Sequence, residues 1–549
     1  MKNYFFIAAI LFLNAVFYAV NTDAQQVQRP KLVVGLVIDQ MRWDYLYRYQ
    51  DLYGKGGFNR LKSEGFNCEN TFIPYIPTYT AAGHASIYTG SVPAINGIMG
   101  NNWYERTEGK VVYCTGDSTV NSVGTDSDAG KMSPDRLLVT SIGDELQLAE
   151  NFRGKLIGIS LKDRGAILPA GHTADAAYWV DEKTGNWITS TYYMKELPNW
   201  VKAINNRHDL DALIKQPWNL LLPREKYWAS TGDSMYFESP LRGEKSAVFP
   251  HQISANSDKR YNTVKSTPYG VTHTFNFAKE TIDAENLGGR GVTDFLAVSI
   301  SSTDYAGHAF GPNSLEVEDV YLRLDRDLEQ FLNYLDSALG RGNYLFFLSA
   351  DHGASHVPAF NISHNIPAGI INEHALVKSI NALCLEKFGI ENAILNLQNH
   401  QLYLNYSTIE EKQVPIVQVT DFIINQLLKT KEVEYAFPFH KMNEYTLPEQ
   451  VVSVSRNGYN PSRSGDIQII PKPAHFDAKN SAASHKGTTH GAWNPYDAHI
   501  PLLFYGWNVK PGRLYRETYM TDIAATLAAM LHIQMPSGCI GHVIPEVFQ

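Results

Sequence analysis

Residues Lys31 to Asp39 read KLVVGLVID: an apolar run that does not alternate with polar residues and stops at a carboxylate. That is the pattern of a strand buried on both faces in a parallel sheet. In open parallel sheets ligands gather beyond the carboxyl ends of the strands, so Asp39 stands where chemistry is done. The competing role for Asp39 is to cap a helix near Trp43 to Tyr49. The same pattern recurs down the chain. Lys155 to Leu161 (KLIGISL) runs into Lys162-Asp163-Arg164-Gly165, Phe295 to Ser301 (FLAVSIS) into Ser302-Thr303-Asp304-Tyr305-Ala306-Gly307-His308, and Tyr344 to Ala350 (YLFFLSA) into Asp351-His352-Gly353. Between the last two, Val317, Val320, Tyr321, Leu324, Leu328, Phe331, Leu332 and Leu335 repeat at helical spacing. Strand, helix, strand in that order predicts a βαβ unit. Ile500 to Tyr505 reads as a last strand and Met520 to His532 as a terminal helix. The expected fold is α/β, with a mostly parallel central sheet flanked by helices.

The chain has 549 residues, enough for a large core. Weakly periodic stretches near 166–290, rich in Trp, Tyr, Pro and Asn, and near 360–480 are expected to be insertions that form cap regions over the site in one domain spanning 25–549. Residues 1–24 read as a secretory signal peptide, an apolar run from Tyr4 to Val20 closing on Asn21-Thr22-Asp23-Ala24. The run is shorter than the roughly 20 residues a span requires and has no basic flank, which argues against an uncleaved membrane anchor. A periplasmic or secreted location follows. The four cysteines, Cys68, Cys114, Cys384 and Cys539, show no CxxC spacing and so no zinc ribbon, though export permits one or two disulfides. With 47 basic against 56 acidic residues and no basic run, no nucleic-acid partner is expected.

Pro77 to Gly90 (PTYTAAGHASIYTG) changes from turn-prone to helix-compatible at Thr80, where free N–H groups and the helix dipole meet an anion. Thr80 is thus either an N-cap or a nucleophile. Asn101, in a Gly/Asn-rich loop, is either a turn residue or a donor to a phosphoryl oxygen, and Lys162 and Arg164 are either a solvated turn or cations reaching an anion at the sheet edge. Asp39, Asp304 with His308, Asp351 with His352, and His490 from a late loop supply three carboxylates and three imidazoles. This suffices for two three-ligand sites of the N/O kind that bind Zn²⁺. The chemistry that needs two such ions, ~4 Å apart, is in-line displacement at phosphorus.

Taken together, PTYTAAGHASIYTG, the loop GNN, SLKDRG, SSTDYAGHAFGP, SADHGA and GTTHGAWNPYDAHIPLLFYG resemble the alkaline phosphatase superfamily, most closely the PafA-type alkaline phosphatases of Bacteroidetes bacteria. The resemblance implies a phosphate-monoester hydrolase with Thr80 as nucleophile, forming a phosphothreonine intermediate, and phosphorylated small molecules as substrates. It assigns Asp304, His308 and His490 to one Zn²⁺, Asp39, Asp351 and His352, with the Thr80 oxygen, to the other, and Asn101, Lys162 and Arg164 to the phosphoryl oxygens. His485, five residues before His490, is the rival ligand, and its context is the poorer match. A sulfatase would require a C/S-x-P-x-R context that Thr80-Ala81-Ala82-Gly83-His84 lacks. A phosphodiesterase shares the metal site and is separated by Lys162 and Arg164. A non-catalytic zinc protein that binds phosphorylated ligands is the remaining alternative.

Overall fold

In the computed structural model, which describes residues 28–253, 259–479 and 481–548, the apolar runs form strands β1 (Leu32–Ile38), β3 (Leu156–Ser160), β5 (Asp294–Ile300) and β6 (Tyr344–Ser349), with β2 (Phe66–Phe72), β4 (Ala176–Val180) and β7 (His499–Gly506) completing the centre of the main sheet. The segment read as a signal peptide lies outside the described residues. Every residue of β1, β3, β5 and β6 is buried, as required of strands covered on both faces. The sheet has eleven strands among the described residues, and its central order is β4-β3-β5-β1-β6-β7-β2. From β4 to β6 all neighbours are parallel. β7 runs antiparallel to both β6 and β2. Its direction is invisible in an apolar run, which reads alike either way.

The helices that matter for the site are α1 (Thr80–Thr89), α2 (Asp163–Ala170), α3 (Ser302–Phe310), α4 (Leu315–Leu339) and α5 (Asp522–Leu531). In α4 all eight residues of the predicted apolar stripe are buried. They join β1, β5, β6 and the inner face of α1, including Ala82, Ile87 and Tyr88, in one large apolar cluster.

Strand register fixes where the carboxylates emerge. Val37 lies opposite Ser349, and Ile38 opposite Ile300. Asp39 and Asp351 therefore leave adjacent strands at the same level, and Asp304 follows within the first turn of α3 on the other side of β1.

Within 166–290, β4 and the strand Trp187–Ser190 pair into the main sheet, and no strand is assigned from 191 to 267 among the described residues. Residues 360–480 contain a separate antiparallel sheet, in the order Ile394–Gln398, Gln401–Leu404, Ile467–Pro471, Val433–Pro438, with its own apolar cluster around Ile380, Ile423, Leu427 and Ile467. All four cysteines are free thiols, so the disulfides that export would permit are not formed. No helix among the described residues is long and apolar enough to cross a membrane.

Leu324 sits in the middle of the buried stripe of α4 with no exposed surface. Leu324→Ala should lower stability by about 2–5 kcal/mol through lost burial and a residual cavity, measured by urea denaturation. A loss below about 1 kcal/mol would show that α4 is not packed as described.

Candidate active site

Helix α1 begins on Thr80 itself. Its N-cap is Tyr79, extended at φ −111° and ψ 154°, and no side chain makes the capping bond. The capping alternative for Thr80 is thereby removed: the residue is buried at the first helical position and its hydroxyl is not needed by the helix. Thr80 Oγ1 lies 3.3 Å from His352 Nε2. Gly83 makes this approach possible, because a Cβ there would come within 2.4 Å of the Asp351 carbonyl oxygen and 2.6 Å of its Cβ. Asn101 joins from the following loop, its Oδ1 accepting the Ala81 N–H at 3.0 Å, which leaves its NH₂ as the free end and a donor.

The six carboxylate and imidazole groups converge. Asp39, Asp351 and His352 bring ligand-type atoms within 4.8 Å of one another, and so do Asp304, His352 and His490. His352 thus belongs to both groups, whereas the sequence places it in one. Its ring stacks on His490 with centroids 3.4 Å apart. His308, one helical turn after Asp304, lies with Nε2 3.1 Å from Asp304 Oδ1. His485 is elsewhere, half-buried with its ring against Phe476.

Each of the three rings is oriented by a backbone carbonyl on Nδ1: Thr488 for His308 at 2.7 Å, Gly353 for His352 at 2.9 Å and Thr78 for His490 at 2.6 Å. A carbonyl only accepts, so the proton is on Nδ1 and the Nε2 lone pair faces the centre in every neutral ring. Burial drives His490 and His352 below the usual imidazole range, helped at His490 by the neighbouring rings of His352 and His308, and keeps both neutral. For His308 burial works the same way, but Asp304 beside it outweighs burial and raises it.

Asp39 Oδ1 and Asp351 Oδ2 are buried without a hydrogen-bond partner. Unpaired carboxylate oxygens in a dry volume are costly unless a cation meets them. Facing neutral Nε2 atoms, they form a donor set of N and O only, which fits a divalent metal such as Zn²⁺.

Lys162 and Arg164 are not a solvated turn. Lys162 is the buried N-cap residue of α2 and Arg164 lies in its first turn. The Lys162 ammonium donates to Asp39 Oδ2 at 2.6 Å and to Asp304 Oδ2 at 2.5 Å, leaving one of its three donors over. Burial would strip its charge, but Asp304 and Asp39 reverse this and raise it. Burial, with Asp304 and Asp351 close by, pushes Asp39 well above the carboxylate range. For Asp304 burial acts in the same direction but is outweighed by His308 and Lys162, which hold it well below that range. Arg164 Nη1 donates to the Tyr113 hydroxyl at 3.0 Å, Tyr113 in turn donates to Asp163 at 2.9 Å, and Arg164 Nε is buried without a partner.

Three supporting residues escape the sequence reading. His84, one turn after Thr80, bonds through Nδ1 to the Thr80 carbonyl at 2.9 Å, lies 3.3 Å from Asp351 Oδ2, and meets Ser299 Oγ through Nε2 at 2.8 Å. Its place at i+4 from Thr80 on a small-residue helix was the available signal. Gln40 donates to Asp304 and Asp351. Tyr305 lies between the ammonium groups of Lys162 and Lys265, 4.8 and 5.4 Å from its ring centre.

A family model for "Type I phosphodiesterase / nucleotide pyrophosphatase" matches residues 33–493, from β1 to just past His490. The chain is 50% identical to a protein of Myroides odoratus named calcium-transporting ATPase, over 96% of both chains. It is 50% identical to alkaline phosphatase PhoV of Synechococcus elongatus, over 96% of this chain and 94% of that one, and 48% identical to alkaline phosphatase PafA of Elizabethkingia meningoseptica, over 98% of both. The crystal structure of wild-type PafA superposes with a TM-score of 0.92, covering 96% of this chain and 100% of that chain. Whole-chain likeness of this extent, over a site built from the same strand ends that the family model spans, makes the chain a member of the alkaline phosphatase superfamily, among the PafA-type alkaline phosphatases.

Proposed function

We propose that the protein hydrolyses phosphate monoesters of small molecules, releasing inorganic phosphate through a phosphothreonine intermediate on Thr80, with two Zn²⁺ ions held by Asp304, His308 and His490 and by Asp39, Asp351 and His352. The observation that carries this reading is a Thr80 hydroxyl free of capping duty at a helix N-terminus, 3.3 Å from an imidazole shared by two buried Asp/His groups. When bound, the ions lower the pKa of the Thr80 hydroxyl and of a water and neutralise the leaving oxygen. Thr80 Oγ forms a bond to phosphorus as the bond to the leaving oxygen breaks, the Thr80 proton passing to solvent and the leaving group taking one up. A water oxygen then forms a bond to phosphorus as the P–Oγ bond breaks, the water gives up a proton, Thr80 Oγ takes one up to restore its hydroxyl, and phosphate departs. The Asn101 NH₂, the remaining Lys162 donor and Arg164 hold the non-bridging oxygens. A periplasmic or secreted location is part of the proposal and rests on residues 1–24.

A phosphodiesterase is the second reading, favoured by the description of the matching family model. A monoester dianion has three non-bridging oxygens that share two charges, and those not neutralised by metal still need cationic donors. A diester has one of these oxygens esterified and bulky. Lys162 and Arg164 therefore attract the monoester by charge and crowd the diester, the paired attraction and rejection on which specificity rests.

Three measurements test these assignments. Thr80→Ala should lose several orders of magnitude in kcat, whereas Thr80→Ser keeps a hydroxyl and appreciable activity; a near wild-type Thr80→Ala would leave direct attack by water as the mechanism. Elemental analysis should find two zinc per wild-type chain, fewer in His490→Ala and two in His485→Ala, the reverse pattern naming the wrong histidine. Arg164→Ala should cut monoester kcat/KM by about 10- to 150-fold, the equivalent of a charged hydrogen bond of ~1.5–3 kcal/mol, and leave slow diester hydrolysis nearly unchanged. Equal losses on both substrates would remove the ground for preferring the monoesterase. Arg164 is the cleaner probe, since Lys162→Ala also strips Asp39 and Asp304 of their ammonium.

A further inference from the structure

Gln40 follows Asp39 directly at the end of β1, and its backbone turns left-handed there, at φ 65°. A non-glycine residue adopts that region only where its surroundings hold it, at an expense of order 1–3 kcal/mol. Here two hydrogen bonds hold it. The Gln40 N–H donates to Asp351 Oδ1 at 3.1 Å, and Gln40 Nε2 donates to Asp304 Oδ1 at 2.5 Å. Those two carboxylates belong to different Asp/His groups. The residue is 3% exposed, and helix α3 makes room for it at Gly307, where a Cβ would come within 1.8 Å of Gln40 Oε1. The φ of a residue sets its Cβ relative to its own N–H, so the left-handed value at Gln40 fixes how its side-chain amide and its main-chain N–H diverge toward the two carboxylates.

We infer that Gln40 is a positioning residue that ties the two metal-ligand groups to each other, its side-chain amide holding Asp304 and its main-chain N–H holding Asp351; the inference rests on the two-metal reading above. A carboxylate oxygen has two lone pairs, so Asp304 Oδ1 can accept the amide and still face a cation. The amide suits this better than a charged donor would. It fixes the carboxylate without reducing its charge, whereas Lys162 on the other oxygen neutralises it. Outer-shell donors of this kind typically govern metal affinity by 10–100-fold.

The two donors can be separated. Gln40→Gly removes the amide, keeps the N–H to Asp351 and accepts positive φ without strain; Gln40→Met removes the amide at similar length. Both variants and the wild-type chain would be equilibrated in a series of chelator-buffered free Zn²⁺ concentrations, and bound zinc read by elemental analysis, with circular dichroism to verify the fold. The wild-type chain should hold two equivalents. Each variant should release one equivalent at a free Zn²⁺ concentration about 10–100-fold higher than the wild-type chain does and keep the other unchanged. Two equivalents at wild-type affinity in both variants, or equal weakening of both sites, would overturn the role of Gln40 and leave the two-metal reading standing. A wild-type chain that holds no zinc would overturn both.

Discussion

The ammonium of Lys162 lies 2.6 Å from Asp39 and 2.5 Å from Asp304, in a volume from which water is almost wholly excluded. Three carboxylates enter that volume, because β5, β1 and β6 are adjacent and in register, and each strand is followed within a few residues by an Asp. Taking three negative charges out of water without compensation is prohibitive. One ammonium serves two of them through Oδ2. Asp39 Oδ1 and Asp351 Oδ2 are left without hydrogen bonds, facing the same centre. The fold thus builds a deficit of positive charge at one sheet edge, which on the proposed function bound cations would make good and a phosphoryl group would then meet. Removing Lys162 would deepen the deficit for the carboxylates as well as for substrate.

What gives this charge its geometry is mostly main chain. The carbonyls of Thr78, Gly353 and Thr488 set the three imidazoles, and the Ala81 N–H sets Asn101. Backbone groups anchored in elements of the fold have little freedom to drift, so the side chains they hold inherit a fixed direction. The Thr78 carbonyl is notable in this respect. It lies two residues before Thr80 and orients His490, some four hundred positions later, so the segment that presents Thr80 also aims the most distant imidazole.

The strands were legible because burial on both faces leaves unbroken apolar runs, and the carboxylates because a charged residue ending such a run stands out. KLVVGLVID and YLFFLSAD carry both signals in nine and eight residues. Other features have no one-dimensional signature. The direction of β7 depends on pairing, and the sharing of His352 between two groups depends on the distance between strands. Lys162-Asp163-Arg164-Gly165 has the composition of a solvated turn, and becomes a buried helix start where Lys162 pairs with Asp39 and Asp304 and where Tyr113 and Thr115, from a separate segment, donate to Asp163. Gln40 is a common surface residue type, and nothing in its neighbours along the chain announces a left-handed backbone. Each of these is decided by a partner remote in sequence.

The division of labour between elements bears on how such a site changes its substrate. The carboxylates and imidazoles come from the ends of β1, β5 and β6 and from the loop at His490, whereas Lys162 and Arg164 come from the junction of β3 and α2. Arg164 is joined to its surroundings through Tyr113 and Asp163, by hydrogen bonds that involve none of Asp39, Asp304 and Asp351. On the proposed function, altering that corner would change the charge and room offered to the non-bridging oxygens while leaving the Asp and His groups as they are. Lys162 is the exception, since it pairs with Asp39 and Asp304 and on that reading would couple the preference for a doubly charged phosphoryl group to the balance of the carboxylates. On the proposed function, the match to a phosphodiesterase family and the phosphatase relatives of this chain are compatible: the strand-end charge deficit would serve either activity, and the cations set around it would choose between them.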